Sequence, residues 1–337
     1  MKRFFGMLMV CLMLLPASGC GRTVEHNGYL IAMDTIMEFT VYGFGGEKGL
    51  GRCTELVQEL EELFSVTDPN SALYALNETG TMAQPNEHFL ALLDLAEELG
   101  ERTDGALDVT VYPVVRAWGF TGEQYRVPEE TELAELLKYV DYSAVSWSEN
   151  GIMLPDGMML DFGSLAKGYA GELAASALRE MGVTSALLNL GGNVQTVGTK
   201  PDGSNWRIAV KNPMNPESGE YLGILSLNDE AAVTSGGYER YFEENGMRYW
   251  HIIDPASGKP ADSGLISVTV VGKSGALCDG LSTSLFILGT EAALEYWREW
   301  GGFEAILVEE DGTVTVTAGL ANRFELSNQA YTVVIAE

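Results

Sequence analysis

Apolar residues recur along this chain with two different periods, and the switches between them divide it into elements. From Tyr29 to Tyr42 they fall at Ile31, Met33, Ile36, Phe39 and Val41, the alternation of a half-buried strand. From Leu50 to Phe64, Leu56, Val57, Leu60 and Leu63 stand three and four apart among glutamates, which predicts an amphipathic helix. Asp68-Pro69-Asn70-Ser71 reads as a turn and helix cap. A second helix is expected over 87–103, a polar loop over 121–131, and a helix from about 129 to 138. Short strands are expected near 144–147, 151–154 and 158–161, then a long helix over 166–181. A run of strands follows near 184–189, 193–198, 206–211, 222–228, 231–234, 248–253 and 265–272. Helices over 276–288 and 290–299 precede closing strands near 303–308, 313–317 and 331–335. Strands in runs between separate helices predict an α+β fold rather than a regular βαβ repeat. No internal repeat or linker breaks the pattern, so a single compact domain with mixed or antiparallel sheets and flanking helices is expected.

The first twenty residues follow a different rule. Lys2 and Arg3 precede a nearly unbroken apolar run from Phe4 to Leu15, and small residues lead to Cys20. A positive flank, a short apolar core and small residues define a secretory signal. The run is shorter than the roughly 20 residues a spanning helix needs. Ala17-Ser18-Gly19-Cys20 resembles the lipobox of bacterial lipoproteins. That resemblance implies a signal peptide over 1–19, lipid on Cys20 and a tether over 20–28, with the protein anchored to the extracytoplasmic face of a bacterial membrane.

Charge narrows the partners. The 20 basic and 48 acidic residues give a net charge of −28, which repels nucleic acid and leaves no basic patch for it. An anionic ligand then needs a local site built from backbone amides, a lysine or a metal. Cys53 and Cys278 remain once Cys11 and Cys20 are set aside; they can bridge or stay as buried thiols.

Five segments carry candidate chemistry. Asp279 and Thr283 lie four apart near a helix start, so they share a face. Their oxygens suit a hard cation such as Mg²⁺, and equally suit an ordinary exposed helix start. A strand delivers His251 and Asp254 to a Pro-Gly-Pro turn, where the imidazole can act as a general base or simply pack. Asp161-Phe162-Gly163 leads through a turn to Ala166-Lys167-Gly168-Tyr169 at a helix N-terminus, whose free amides attract phosphate. Asn189-Leu190-Gly191-Gly192 allows a tight turn or close ligand approach. Thr103-Asp104-Gly105-Ala106-Leu107-Asp108 offers small residues to a planar ring, or an ordinary turn.

Taken with Thr234-Ser235-Gly236-Gly237-Tyr238-Glu239-Arg240-Tyr241-Phe242, the order and spacing of these segments resemble the ApbE-type FAD:protein FMN transferases. The likeness runs from Met33-Asp34-Thr35 to Leu288-Gly289. It implies an ApbE-like, T-fold-related domain over 29–337 that cleaves FAD and attaches FMN to a Thr or Ser hydroxyl of an acceptor protein, releasing AMP. It implies Mg²⁺ held by the Ala166 carbonyl, Asp279 and Thr283, with His251 activating the hydroxyl and Asp254 fixing its loop. Met33, Ala106, Leu107, Asp108, Asp161, Lys167, Thr234, Ser235 and Gly236, with His251, would line the FAD, Lys167 near phosphate and Asp108 near the adenine or ribose. The acceptors it implies are Rnf- or Nqr-type redox subunits, or extracytoplasmic FMN-binding proteins that carry a flavinylation motif. Two positions depart from the family pattern: Thr67 stands where a flavin-stacking Tyr is common, and Cys278 where Ala is common. FAD hydrolysis to FMN and AMP, and FAD binding without chemistry, remain alternatives on the same residues.

Overall fold

The computed structural model describes residues 23–122 and 124–337; the expected signal segment and Cys20 lie outside the described residues. A nine-stranded sheet organises the molecule. Its strands are Glu25–Ala32, Thr35–Tyr42, Ser185–Leu190, Asn193–Gly198, Ala231–Gly236, Leu265–Gly272, Phe303–Glu309, Thr313–Thr317 and Thr332–Ala336, and they lie side by side in that order. Every pairing is antiparallel except the last, Thr313–Thr317 with Thr332–Ala336. The fold is α+β, as the pattern predicts.

Both faces of this sheet are covered, which explains its apolar central strands. Along Phe303–Glu309, Phe303, Ala305 and Leu307 face a helical layer, while Ile306 and Val308 face the other way. The helices are α1 (Gly46–Phe64), α2 (Ala72–Thr79), α3 (Glu87–Arg102), α4 (Tyr112–Trp118), α5 (Glu130–Leu136), α6 (Ala166–Glu180), α7 (Gly275–Leu288) and α8 (Thr290–Trp300). On one face α6 packs between α1 and α7, and all three lie against the sheet. On the opposite face a three-stranded sheet, Phe324–Leu326, Tyr221–Leu227 and Trp206–Lys211, buries Trp206, Leu222, Leu225 and Leu227. The segment from α2 to α5 adds no strand to the large sheet. Its α2 and α3 join the main core through Leu73, Leu76, Phe89 and Leu92, while α4 and α5 build a small separate core of Val114, Trp118, Phe120 and Leu133 with Ile253.

Several expectations need correction. The alternation over 29–42 is two strands, because Met33 and Asp34 take left-handed backbone (φ 49° and 59°) and fold the chain into a hairpin. The expected tether over 20–28 is too long: Glu25 already pairs with Tyr42, and the Asn27 side chain accepts the Thr40 hydroxyl at 2.8 Å. No strand forms near 158–161. The Asn77 side chain takes the place of a neighbouring strand there, donating to the Leu160 carbonyl at 2.9 Å and accepting its N–H at 2.7 Å. The strand expected near 248–253 is broken into Met247–Trp250, paired with Tyr241–Glu244, and Ile253–Asp254, paired with Lys259–Pro260. Cys53 and Cys278 are buried free thiols.

Candidate active site

A cavity of about 540 Å³ opens where the Met33–Asp34 turn, the end of α1, the starts of α6 and α7, and the segments around Thr234 and His251 converge. Of the residues expected to act, Met33, Ala106, Leu107, Asp108, Asp161, Ala166, Lys167, Thr234, Ser235, Gly236, His251, Asp279 and Thr283 all line it. Asp254 does not. Its carboxylate accepts the Ala256 N–H at 2.9 Å, and its carbonyl accepts the Gly258 N–H at 2.8 Å, so it shapes the turn behind His251. The Gly258 carbonyl then receives the Trp118 indole N–H at 2.8 Å, which fixes that turn to α4. A second, more open hollow of about 660 Å³ beside Leu288 and Arg298 gathers none of the expected residues.

The first wall is the crossing of α6 and α7. A Cβ on Gly168 would collide with the Gly275 carbonyl oxygen and with the Asp279 Cβ, so only glycine lets the two helices approach this closely. The approach lets Asp279 Oδ2 accept the Gly168 N–H at 2.7 Å. Asp279 is buried, and burial pushes its carboxyl above the usual carboxylate range, with Lys167 offsetting part of that cost. The Asn193 amide approaches Asp279, yet its buried Nδ2 makes no hydrogen bond of regular geometry. One turn on, Thr283 Oγ1 stands 3.2 Å from Ser235 Oγ, which also pairs with Ser282 Oγ at 2.8 Å. Asp279, which has no ion pair among the described residues, thus lines one cavity with Thr283 and Ala166, and a carboxylate, a hydroxyl and a backbone carbonyl are the oxygen donors these residues can offer. This oxygen set fits a hard divalent cation.

The second wall carries the imidazole. His251 lies against Phe120, ring centroids 6.4 Å apart. The Arg240 carbonyl accepts both the His251 backbone N–H and ring Nδ1, each at 3.1 Å. A carbonyl only accepts, so Nδ1 carries the proton and Nε2 keeps its lone pair. Burial, with the Arg240 and Lys167 cations nearby, pushes the imidazole down to about 4. The Arg240 guanidinium reaches the Phe120 carbonyl at 3.1 Å and Asp34 Oδ2 at 3.4 Å, so it joins His251 to the hairpin on the opposite lip.

The third wall is the Asp161 turn. Phe162 is fully buried and meets Phe64 and Phe89 edge-on, with centroids 5.3 and 6.1 Å away. Burial of such a ring stabilises the fold by about 1.5–3 kcal/mol and fixes its two neighbours. Asp161 accepts the Gly163 N–H at 2.8 Å; burial raises its pKa against the pull of Lys167 and Arg240. Asp108 is committed to structure: Oδ1 caps Thr110 N–H at 2.7 Å and Oδ2 accepts Tyr142 N–H at 3.1 Å. Its burial also raises its pKa.

Sequence reading missed Glu61, which lines the cavity and accepts the Met33 N–H at 2.8 Å. Its signal was a carboxylate four residues beyond Val57, on the apolar stripe of α1. Asn193, Glu239 and Arg240 also line the cavity; the last two stood in the quoted motif without a role. Glu239 is exposed at the cavity mouth, and partial desolvation by the walls there raises its pKa while Lys211 and Lys167 oppose it.

One cavity thus gathers a hydrogen-bonded imidazole, a buried carboxylate beside hydroxyls and a lysine at a helix start, the kinds of group an enzyme active site uses. The chain belongs to the ApbE family, whose model matches residues 33–307. The FAD:protein FMN transferase of Haemophilus influenzae is 33% identical over 251 residues, covering 71% of this chain and 72% of that one. The FAD:protein FMN transferase of Treponema pallidum is 29% identical over 341 residues, covering 94% of each. Among solved structures, the ApbE protein of Thermotoga maritima superimposes with a TM-score of 0.82 at 29% identity, covering 89% of this chain and 99% of its own. The Pseudomonas stutzeri flavinyl transferase ApbE does so with 0.79 at 28%, covering 91% and 98%.

Proposed function

We propose that this protein transfers the FMN half of FAD to a Thr or Ser hydroxyl of an acceptor protein and releases AMP. The observation that carries the proposal is the meeting, in one cavity, of His251 with Asp279, Thr283, Ala166 and Lys167. Ala166, Asp279 and Thr283 would hold Mg²⁺, which when bound offsets the pyrophosphate charge and polarises its bridging bond. Lys167, at the first turn of α6, adds a fixed cation for the phosphates. The acceptor hydroxyl donates its proton to His251 Nε2, and its oxygen forms a bond to the FMN phosphorus. The phosphorus–oxygen bond to the AMP half breaks, and AMP leaves with the electron pair. The Arg240 carbonyl fixes the tautomer that makes Nε2 the base. Met33, Ala106, Leu107 and the Thr234–Gly236 strand end supply small and apolar walls for the ring systems.

Acceptors on membrane redox complexes, lipid on Cys20 and an extracytoplasmic location complete the proposal. The lipobox-like Ala17-Ser18-Gly19-Cys20 and the resemblance itself support them. The test mixes protein, FAD, Mg²⁺ and an acceptor bearing a flavinylation motif, and reads covalent flavin fluorescence on a denaturing gel. Label on the acceptor is expected. FMN release without label would favour hydrolysis, and neither product with any metal would sink the proposal. His251→Ala is expected to keep FAD affinity while slowing transfer by roughly 10²–10⁴-fold. Equilibrium FAD titration beside the gel assay separates the two effects.

A further inference from the structure

The N-terminal hairpin has two ends with different characters. One end is the Met33–Asp34 turn, on the lip of the cavity. At the other, Gly43 donates its N–H to the Val24 carbonyl at 2.9 Å, and the chain turns through Gly43-Phe44-Gly45 into α1. Phe44 at this loop tip is fully exposed, and Val24 is 56% exposed. The described chain begins at Thr23, beside this loop, three residues after Cys20. Three residues span at most about 11 Å, so a lipid on Cys20 holds this end of the hairpin against the bilayer.

We propose that the Gly43–Gly45 loop is a membrane-contacting face, with Phe44 inserted among the lipid headgroups beside the Cys20 anchor. The proposal rests on the reading that Cys20 is lipidated. The occupant is a lipid surface because the exit point of the chain fixes what stands next to Phe44. The neighbouring charges Glu25, Glu47 and Lys48 are of mixed sign, so the contact is apolar rather than electrostatic. The seven residue steps from the Glu25–Tyr42 pair to the Ala32–Thr35 pair place the cavity lip about 23 Å along the hairpin from the loop. The hairpin thus sets the cavity lip back from the lipid-facing loop.

The test uses the full-length lipidated protein on phosphatidylcholine vesicles containing a doxyl-labelled lipid. A Phe44→Cys variant carries an NBD fluorophore, and an Ile36→Cys variant carries the same probe at the far end of the hairpin. Cys53 and Cys278 are buried, and burial pushes both thiols up, Cys53 to about 12, so neither competes for label. Flotation first reports binding, then quenching reports depth. Strong quenching at position 44 and little at 36 is expected, with Phe44→Ser leaving vesicles several-fold faster than the parent. Protein that does not float overturns the anchor reading and this face with it. Protein that floats with position 44 unquenched overturns the face alone. Self-association in vesicle-free buffer that Phe44→Ser abolishes would also overturn it, because the loop would then serve a second copy.

Discussion

At the scale of single residues, the site places charge where water is scarce. Asp279 has no ion pair among the described residues, and its burial raises its pKa, so the ionised form is destabilised in the fold. A group whose folded pKa lies above its unfolded value costs stability above that unfolded pKa, and the cost vanishes at lower pH. Asp279→Asn is therefore expected to raise Tm at pH 7 in EDTA, by about 2–4 °C for each kcal/mol relieved, while abolishing transfer. Calorimetry at pH 7 and again near pH 3, where the difference should disappear, checks the sign. Arg240 is a cation beside an imidazole that must stay neutral. Arg240→Gln removes that cation, so His251 takes up its proton at higher pH. The acid limb of the transfer rate should move upward by up to about 1 unit, measured as a pH profile. An unchanged limb would show that Arg240 acts through its backbone alone. His251 and Asp279 were legible in the sequence because each stands in an unusual local context. The commitment of Asp108 to Thr110 and Tyr142 was not, since Tyr142 is distant in the chain.

At the scale of elements, the helices that build the site depend on one close crossing. Gly168→Ala forces α6 from α7 and removes Asp279 from the Gly168 amide. Overpacking of this kind costs about 1–3 kcal/mol, and here transfer should fall more than stability does. Comparing Tm with the single-turnover rate distinguishes a lost cradle from simple unfolding. Long periodic helices such as α1, α3 and α6 could be read from sequence because each carries a full apolar stripe. Among the shorter ones, α5 and α8 were also expected, but α4 was not. The seven residues of α4 begin with Tyr112-Pro113 and follow a 3₁₀ turn, too short for a period to show. The expected strand at 158–161 failed for a different reason: its partner is the side chain of Asn77, which no backbone pattern announces.

At the scale of the whole molecule, the net charge of −28 makes self-repulsion a standing cost. Added salt should raise Tm between 20 mM and 200 mM NaCl, where the Debye length falls below about 10 Å, and thermal melts at both concentrations check this. The α+β class was legible because runs of strands and separate helices are visible in pattern. The assignment of strands to two stacked sheets was not, since strands buried on both faces carry no alternation to say which layer they join. The sheet order also has a consequence in time. The widest gap in sequence between neighbouring strands is at one seam, where Thr35–Tyr42 must find Ser185–Leu190. At roughly 5–20 residues per second of synthesis, the first hairpin waits on the order of 10–30 s for the strand that closes its inner edge. Through that interval α1, made next, is the element that can cover Met37, Phe39 and Val41, while the inner edge of the hairpin lacks its partner strand. An unpaired inner edge offers backbone groups to any other strand, so late closure of this seam is where pairing with another chain competes with folding.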